Sequence, residues 1–438
     1  GQKYPLLGGG HARIRGGPGT GTGALNIIEH SVSLRHLSQR QALQRGHKRA
    51  RNRAQWSIAD HGPLRAGTRL QAEYGALAQL HTGPRDYQAA MSRRPRIAIL
   101  GVGGTIAMTG LKGQAVLPEL DAEMLVDTVP GLIDICELTA ITLSKAPSPH
   151  MDLGTVLSIA DGVRKAFADG AEGIVVLQGT DTMEETAFAL ELLLGRAIPV
   201  AVTGAMRNPA QPGGEGPANL LAAARTAVAR CGGMGVVVVM DGTIHAPRFV
   251  HKAHTASAAA FTPGPVVLGE VTDSAVVFYT QIPSLPQLHM AVDAQPAAVA
   301  LLEAALGEEG RLLDFVERAA YRGLVIAGMG GGHVPPAMAD RLEVLTTRMP
   351  VIVGSRVEAG TTLASTYAYS GGEIDLARRG VIRAGWLSTR KARIALALLL
   401  SADNDGNQIT DFFTNFGGGR VSTDTRNFAQ AVLPHHPN

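Results

Sequence analysis

Two stretches carry residue types that can do chemistry at a strand end. In VVLQGTDTMEETAFALELLL, residues 175–194, an apolar run stops at Gly179, and Thr180 and Asp181 stand before an apolar-periodic stretch. Either side chain suits helix capping, worth about 1 kcal/mol. The pair equally suits a zwitterionic ligand. A helix N-terminus favours the ligand's carboxylate, and the Asp181 side chain accepts from an ammonium group. In RIAILGVGGTIA, residues 96–107, glycines 101, 103 and 104 lead into Thr105. The G-x-G-x-x-G phosphate spacing fails here, because Ile106 occupies the place of the third glycine, and no downstream acid closes a nucleotide site. These glycines instead let the backbone turn tightly and approach a ligand, which leaves Thr105 as a hydroxyl at the strand's end or as an ordinary turn residue.

A threonine hydroxyl is a poor nucleophile until a base takes its proton. Lys252, in RFVHKAHT after GVVVVMDGT, is the candidate base. It serves as one only where burial and neighbours lower its pKa; otherwise it is a solvated charge.

The elements that must hold these residues are legible as strands and helices in alternation. RIAILGVGG, IVVLQG, IPVAVTGAM, GVVVVMDGT, RGLVIAGMGGG and MPVIVGS are continuous apolar runs closed by glycine or a small polar residue. Continuous rather than alternating runs predict strands covered on both faces, as in a parallel sheet. LGTVLSIADGVRKAFADG and ANLLAAARTAVARC lie between them with helical spacing, so the class is α/β. A larger N-terminal domain with a doubly wound sheet is expected over 93–282, and a smaller α/β domain over 318–415. TQIPSLPQLHMAVDAQPAA holds three prolines, so 283–317 reads as a linker, and the turn-rich 416–438 reads as a tail. Ligands of open α/β sheets bind beyond the carboxyl ends of the strands, near the switch in strand order. That rule alone selects Gly103–Thr105, Thr180–Asp181 and Ala205–Arg207.

The net charge of +3 hides two materials: residues 1–90 hold 13 Lys and Arg against 4 Asp and Glu, and the remainder 27 against 33. The first 92 residues are rich in Gly, Arg and His, without sustained periodicity, and all twelve methionines lie at or after Met91. Such a composition buries too little apolar surface to order itself, so a disordered or spurious leader is expected. It lacks the apolar core of a signal peptide. KRARNR resembles a basic nucleic-acid patch, but a short basic run inside such a leader is weak, and no nucleic-acid partner is expected. No window offers the roughly 18 apolar residues that span a bilayer. Cys136 and Cys231 match neither a metal spacing nor a disulfide framework, and fit a reduced, cytoplasmic setting.

Taken together and in order, GGTIA (103–107), GTDTMEET (179–186), GAMR (204–207), EGPANL (215–220), RFVHKAHT, AGMGGGHVP (327–335), SRVEAG (355–360) and GVIRAGWLSTRKAR (380–393) resemble the bacterial L-asparaginase family. The resemblance implies an asparagine amidohydrolase, with glutamine as a secondary substrate. It implies Thr105 as the nucleophile and Thr180 as a second catalytic threonine in a Thr–Lys–Asp group with Asp181 and Lys252. Asp181 would also bind the substrate's α-amino group. Ser148, in PSPHM, would contact the α-carboxylate, and Ala205 would sit where backbone groups hold the leaving amide. The family needs neither metal nor organic cofactor, and is typically a homotetramer of close dimers whose site is completed by the neighbouring subunit.

The chain departs from the family's pattern in several places. The loop tyrosine that follows GGTIA is missing, with Val116 or a neighbour near its place. Pro149 and His150 stand where a polar residue and an acid are common. His333 replaces a frequent asparagine, and STYAYSGGE offers Ser365 and Tyr367 instead of a plain match to the partner-subunit acid. Tyr367 is a candidate to supply a phenol from another direction. Two other functions fit the same fold: an asparaginase-like subunit of a glutamyl-tRNA(Gln) amidotransferase, and an amino-acid-binding homologue without catalysis.

Overall fold

The computed structural model describes residues 93–109, 117–118, 120–209, 211–291 and 294–417. The expected leader (1–92), Val116 and residues 418–438 of the expected tail lie outside the described residues.

The larger sheet uses β1 (Arg96–Gly101), β2 (Glu137–Thr142), β3 (Gly173–Leu177), β4 (Val200–Thr203), β5 (Val236–Met240) and β6 (Thr243–His245). A short ribbon of β7 (His251–Lys252) and β8 (Phe261–Thr262) stands apart, and β9 (Val267–Val271) and β10 (Val276–Phe278) return to the sheet. The order across it is β10-β9-β6-β5-β4-β3-β1-β2. From β2 to β5 the neighbours run parallel. Strand order reverses at the β1/β3 pair, since β2 flanks β1 on its other side.

The strands β1, β3, β4 and β5 are apolar on both faces because both faces are covered. Ala98 and Leu100 pack with α1 (Leu153–Ala168) and α2 (Met183–Leu194), while Ile97 and Ile99 pack with α3 (Gly216–Val228). The apolar runs named for this sheet are parallel strands as expected, and one edge adds strands beyond them. There β6, β9 and β10 join through antiparallel pairings. The cause is Asp241–Gly242, a two-residue connection with both residues at positive φ (49° and 71°), which folds GVVVVMDGTIH into a tight hairpin.

The smaller sheet is parallel, in the order β11 (Val299–Glu303), β12 (Gly323–Gly328), β13 (Val351–Ser355) and β14 (Ile382–Arg383). Here the expected linker over 283–317 is corrected: VALLE forms an edge strand beside GLVIAG. The prolines at 283, 286 and 296 all precede it, so they do not prevent pairing. The helix α4 (Pro336–Thr346) packs within the smaller domain's core, and α5 (Thr389–Ser401), which carries Arg390, packs against α2 and β12. Cys136 and Cys231 are buried and unpaired with one another.

Candidate active site

The reversal in strand order brings the ends of β1 and β3 together, and glycines let them touch. Gly104 adopts φ +89°, and a Cβ there would fall 2.1 Å from the Gly179 backbone. A Cβ on Gly179 would in turn meet Ser148 at 2.7 Å. Thr105 and Thr180 are therefore each the residue next to one of two contacting glycines. The Thr105 backbone opens a single 3-10 turn, Thr105–Ala107. Val102 is tied to β3 by its N–H to the Leu177 carbonyl, 2.8 Å.

Neither Thr180 nor Asp181 caps α2. The N-cap is Thr182, and it makes no side-chain capping bond. Its hydroxyl donates instead to the Ser148 carbonyl at 3.1 Å. The capping expectation is thereby corrected, because a stronger donor claims both side chains. Lys252 Nζ donates to Thr180 Oγ1 at 2.8 Å and to Asp181 Oδ1 at 2.6 Å. The second carboxylate oxygen, Oδ2, accepts from Ser148 Oγ at 3.3 Å, and the same hydroxyl accepts the Asp181 N–H at 3.3 Å. Thr180 and Ser148 are buried, and 57% of the Asp181 side chain is exposed against 15% for Lys252. The group thus has a buried hydroxyl end and an open carboxylate end. That end faces a cleft of about 310 Å³ bounded by Lys252, His254 and Arg390.

Ala205 is buried after β4, and its loop is gripped from the EGPANL segment. Asn219 Nδ2 donates to the Gly204 carbonyl at 2.9 Å, and the Glu215 carboxylate accepts the N–H groups of Met206 and Arg207. The motif's acid and amide therefore fix a loop backbone next to the threonines. Among the described residues no group of three or more His, Cys, Asp or Glu is placed to hold a metal ion.

Sequence reasoning missed Glu184 and Arg390, although both lie inside quoted motifs. Glu184, in the first turn of α2, is buried; its Oε2 accepts the Lys252 N–H at 3.2 Å, and its Oε1 accepts from Arg390 Nε at 2.7 Å. The signal was a carboxylate on a largely buried helix, which requires a partner.

His333, Ser365 and Tyr367 fall in the smaller domain. His333 Nε2 lies 3.0 Å from the buried Glu373 carboxylate, and Tyr369 Oη lies 2.9 Å from its Nδ1. Tyr367 packs edge-on to the His333 ring, with centroids 5.3 Å apart. Burial pushes the Glu373 carboxyl up. The N–H groups of Tyr367, Glu373 and Thr366, with His333, outweigh it and hold the group below its ordinary range. Ser365 is exposed on the same loop. Tyr369, absent from the expected set, completes this second cluster.

A doubly wound sheet with a hydrogen-bonded Thr–Lys–Asp group beside its strand-order reversal, followed by a smaller parallel domain, defines a two-domain α/β protein with a polar site at its strand ends. The chain belongs to the asparaginase family: residues 96–284 match the asparaginase N-terminal domain, and residues 298–413 match the glutaminase/asparaginase C-terminal domain. A probable L-asparaginase of Deinococcus radiodurans is 33% identical over 335 residues, covering 73% of this chain and 97% of that protein. One glutamyl-tRNA(Gln) amidotransferase polypeptide from Methanosarcina acetivorans is 30% identical over 286 residues, covering 62% of this chain and 67% of its own length. Among solved structures, a probable cytoplasmic L-asparaginase from Campylobacter jejuni superposes with a TM-score of 0.66 at 30% identity, over 73% of this chain and 99% of its own.

Proposed function

We propose that the protein hydrolyses L-asparagine to L-aspartate and ammonia through a threonine nucleophile. The observation that carries this reading is Lys252 Nζ held between Thr180 Oγ1 and Asp181 Oδ1. In the first half-reaction the Thr105 oxygen bonds to the side-chain amide carbon, the C–N bond breaks, and the hydroxyl proton leaves with ammonia. In the second, water displaces the Thr105 oxygen and releases aspartate. Thr180 and Lys252 manage these protons, and the backbone around Ala205 and Thr105 steadies the charged intermediate.

Substrate binding and base activation are linked at Asp181. As the substrate's α-ammonium docks on this carboxylate and its α-carboxylate on Ser148, Asp181 is drawn from Lys252. That leaves the Lys252 amine to the Thr180 hydroxyl, whose proton it handles in this reading. Glutamine, one methylene longer, is the secondary substrate of this reading. His333, Ser365 and Tyr367 are assigned to a neighbouring subunit's site in a homodimer or homotetramer, and two unpaired cysteines favour the cytoplasm.

Near-complete coverage of an asparaginase relative, against two thirds of the amidotransferase polypeptide, supports a stand-alone hydrolase. Purified protein incubated with asparagine and glutamine should release ammonia, and Thr105→Ala and Thr180→Ala should each abolish release. Normal turnover in both variants would overturn the proposal, and stoichiometric asparagine binding without turnover would indicate a binding protein.

A further inference from the structure

The candidate base sits on a poor support. The strand β7 is two residues long, and its ribbon partner β8 is no longer. A two-stranded ribbon of that size does not hold itself in water. Yet Lys252 Nζ must meet two oxygens within hydrogen-bond reach, so its backbone has to be located from elsewhere.

The structure supplies that support through three contacts, two of them from the smaller domain. The Lys252 N–H donates to Glu184 Oε2 at 3.2 Å, one turn beyond Thr180 and Asp181. The start of α2 therefore grips Lys252 by both its backbone and its ammonium. Arg390, at the start of α5, donates through Nε to the other oxygen of Glu184 at 2.7 Å. Its neighbour Lys391 is buried and donates through Nζ to the carbonyl of Val250, two residues before Lys252. Among the described residues, Asp181, Glu184, His254 and Arg390 share the cleft with Lys252, while His251 and Lys391 stand behind it. Glu184 is thus a buried carboxylate beside the candidate base, with Arg390 as its hydrogen-bonded cation and the buried Lys391 also coupled to it.

From this geometry we infer that Arg390 is a positioning residue for Lys252: acting through Glu184, it fixes the lysine's backbone from the second domain and neutralises the carboxylate behind it. The inference deepens the hydrolase reading and rests on it. Arg390 touches neither Thr180 nor Asp181 in the structure; Glu184 mediates its influence. Loss of Arg390 removes the hydrogen-bonded cation from Glu184 and leaves the buried Lys391 as the other cation coupled to it, so more of the carboxylate's charge acts on Lys252 and favours the charged amine. Loss of Glu184 alone leaves an uncompensated cation there and has the opposite effect.

The test compares wild type, Arg390→Gln, Arg390→Lys, Glu184→Gln and the Arg390→Gln/Glu184→Gln pair. Asparagine hydrolysis is followed across pH, and the titration of Lys252 is read without substrate by NMR of ¹³C-labelled lysine, assigned with Lys252→Arg. Melting curves establish that each variant is folded. Arg390→Gln is expected to lower kcat on the order of 10- to 100-fold, with KM little changed. Its acid limb and its Lys252 titration both move to higher pH. Arg390→Lys keeps both near wild type, Glu184→Gln moves both to lower pH, and the pair returns both towards wild type because the offsetting charges leave together. A folded Arg390→Gln protein with unchanged kcat, acid limb and lysine titration would overturn the inference. So would a paired variant in which the two effects simply add up to a deeper loss without restoring the titration. If wild type releases no ammonia, the hydrolase reading fails by itself, and the NMR titrations still decide whether Arg390 acts on Lys252.

Discussion

Lys252 Nζ stands 2.8 Å from the Thr180 hydroxyl across 72 residues of chain. The two arrive by different routes: Thr180 from the end of a buried parallel strand, Lys252 from a short ribbon beyond the sheet's hairpin edge. Their meeting brings a turn threonine and a surface-type lysine within hydrogen-bond reach, as the proposed mechanism requires.

Replacing Lys252 by Met keeps the stem's bulk and removes the amine. General acid–base groups contribute about 10²- to 10⁴-fold, so kcat for asparagine should fall by that order while the circular dichroism spectrum is retained. Retention of wild-type kcat would remove Lys252 from the mechanism.

Asp181→Asn removes the carboxylate while preserving shape. A hydrogen bond to a charged group is worth about 1.5–3 kcal/mol, so KM for asparagine should rise about tenfold to a hundredfold. An asparagine analogue lacking the α-amino group discriminates the roles. It should bind wild type and Asp181→Asn alike if the carboxylate receives the substrate's ammonium.

Gly104→Ala tests the contact between the ends of β1 and β3. The left-handed φ and the approach of 2.1 Å to the Gly179 backbone leave no room for a Cβ, and the neighbouring atoms are main chain and cannot swing away. Stability should drop by about 3 kcal/mol or more, with activity lost in whatever remains folded. An unchanged melting temperature would contradict the close approach.

Lys391 supplies a pH signature of its own. Burial pushes its ammonium down from the ordinary 10.5 to about 8, against the upward pull of Glu184. Below about pH 8 folded and unfolded chains both carry this proton, and its contribution is flat. Between about 8 and 10.5 the unfolded chain binds more protons, so stability rises with pH through this group. Lys391→Met should flatten that rise in denaturant melts taken across the window, relative to wild type.

Much of this arrangement was legible in the residues. The glycine-closed apolar runs announced a buried sheet with loops at its carboxyl ends, and GGTIA, GTDTMEET and RFVHKAHT named the threonines, the acid and the lysine. The helical spacing after Thr182 was equally plain, but capping was an inference from position. Helix-start chemistry is local, whereas the donor that takes the Thr180 and Asp181 side chains comes from distant chain. The antiparallel edge beyond the Asp241–Gly242 hairpin is not stated by the apolar runs, and VALLE reads as linker, for a related reason. An apolar run states that a strand is buried, and leaves its direction and its partner to the turn that follows and the edge it finds.

The sequence by itself determined the alternation of strand and helix, the family's ordered motifs and the set of candidate side chains at the strand ends, because these depend on composition, short spacing and local backbone preference. Tertiary structure alone decided that Lys252 reaches Thr180, that Glu184 and Arg390 join two domains behind it, and that Tyr369 completes the His333–Glu373 cluster. Each of those relationships pairs residues brought together by sheet order and helix docking, and a hydrogen bond made across such distances in the chain exists only after the core between them has packed.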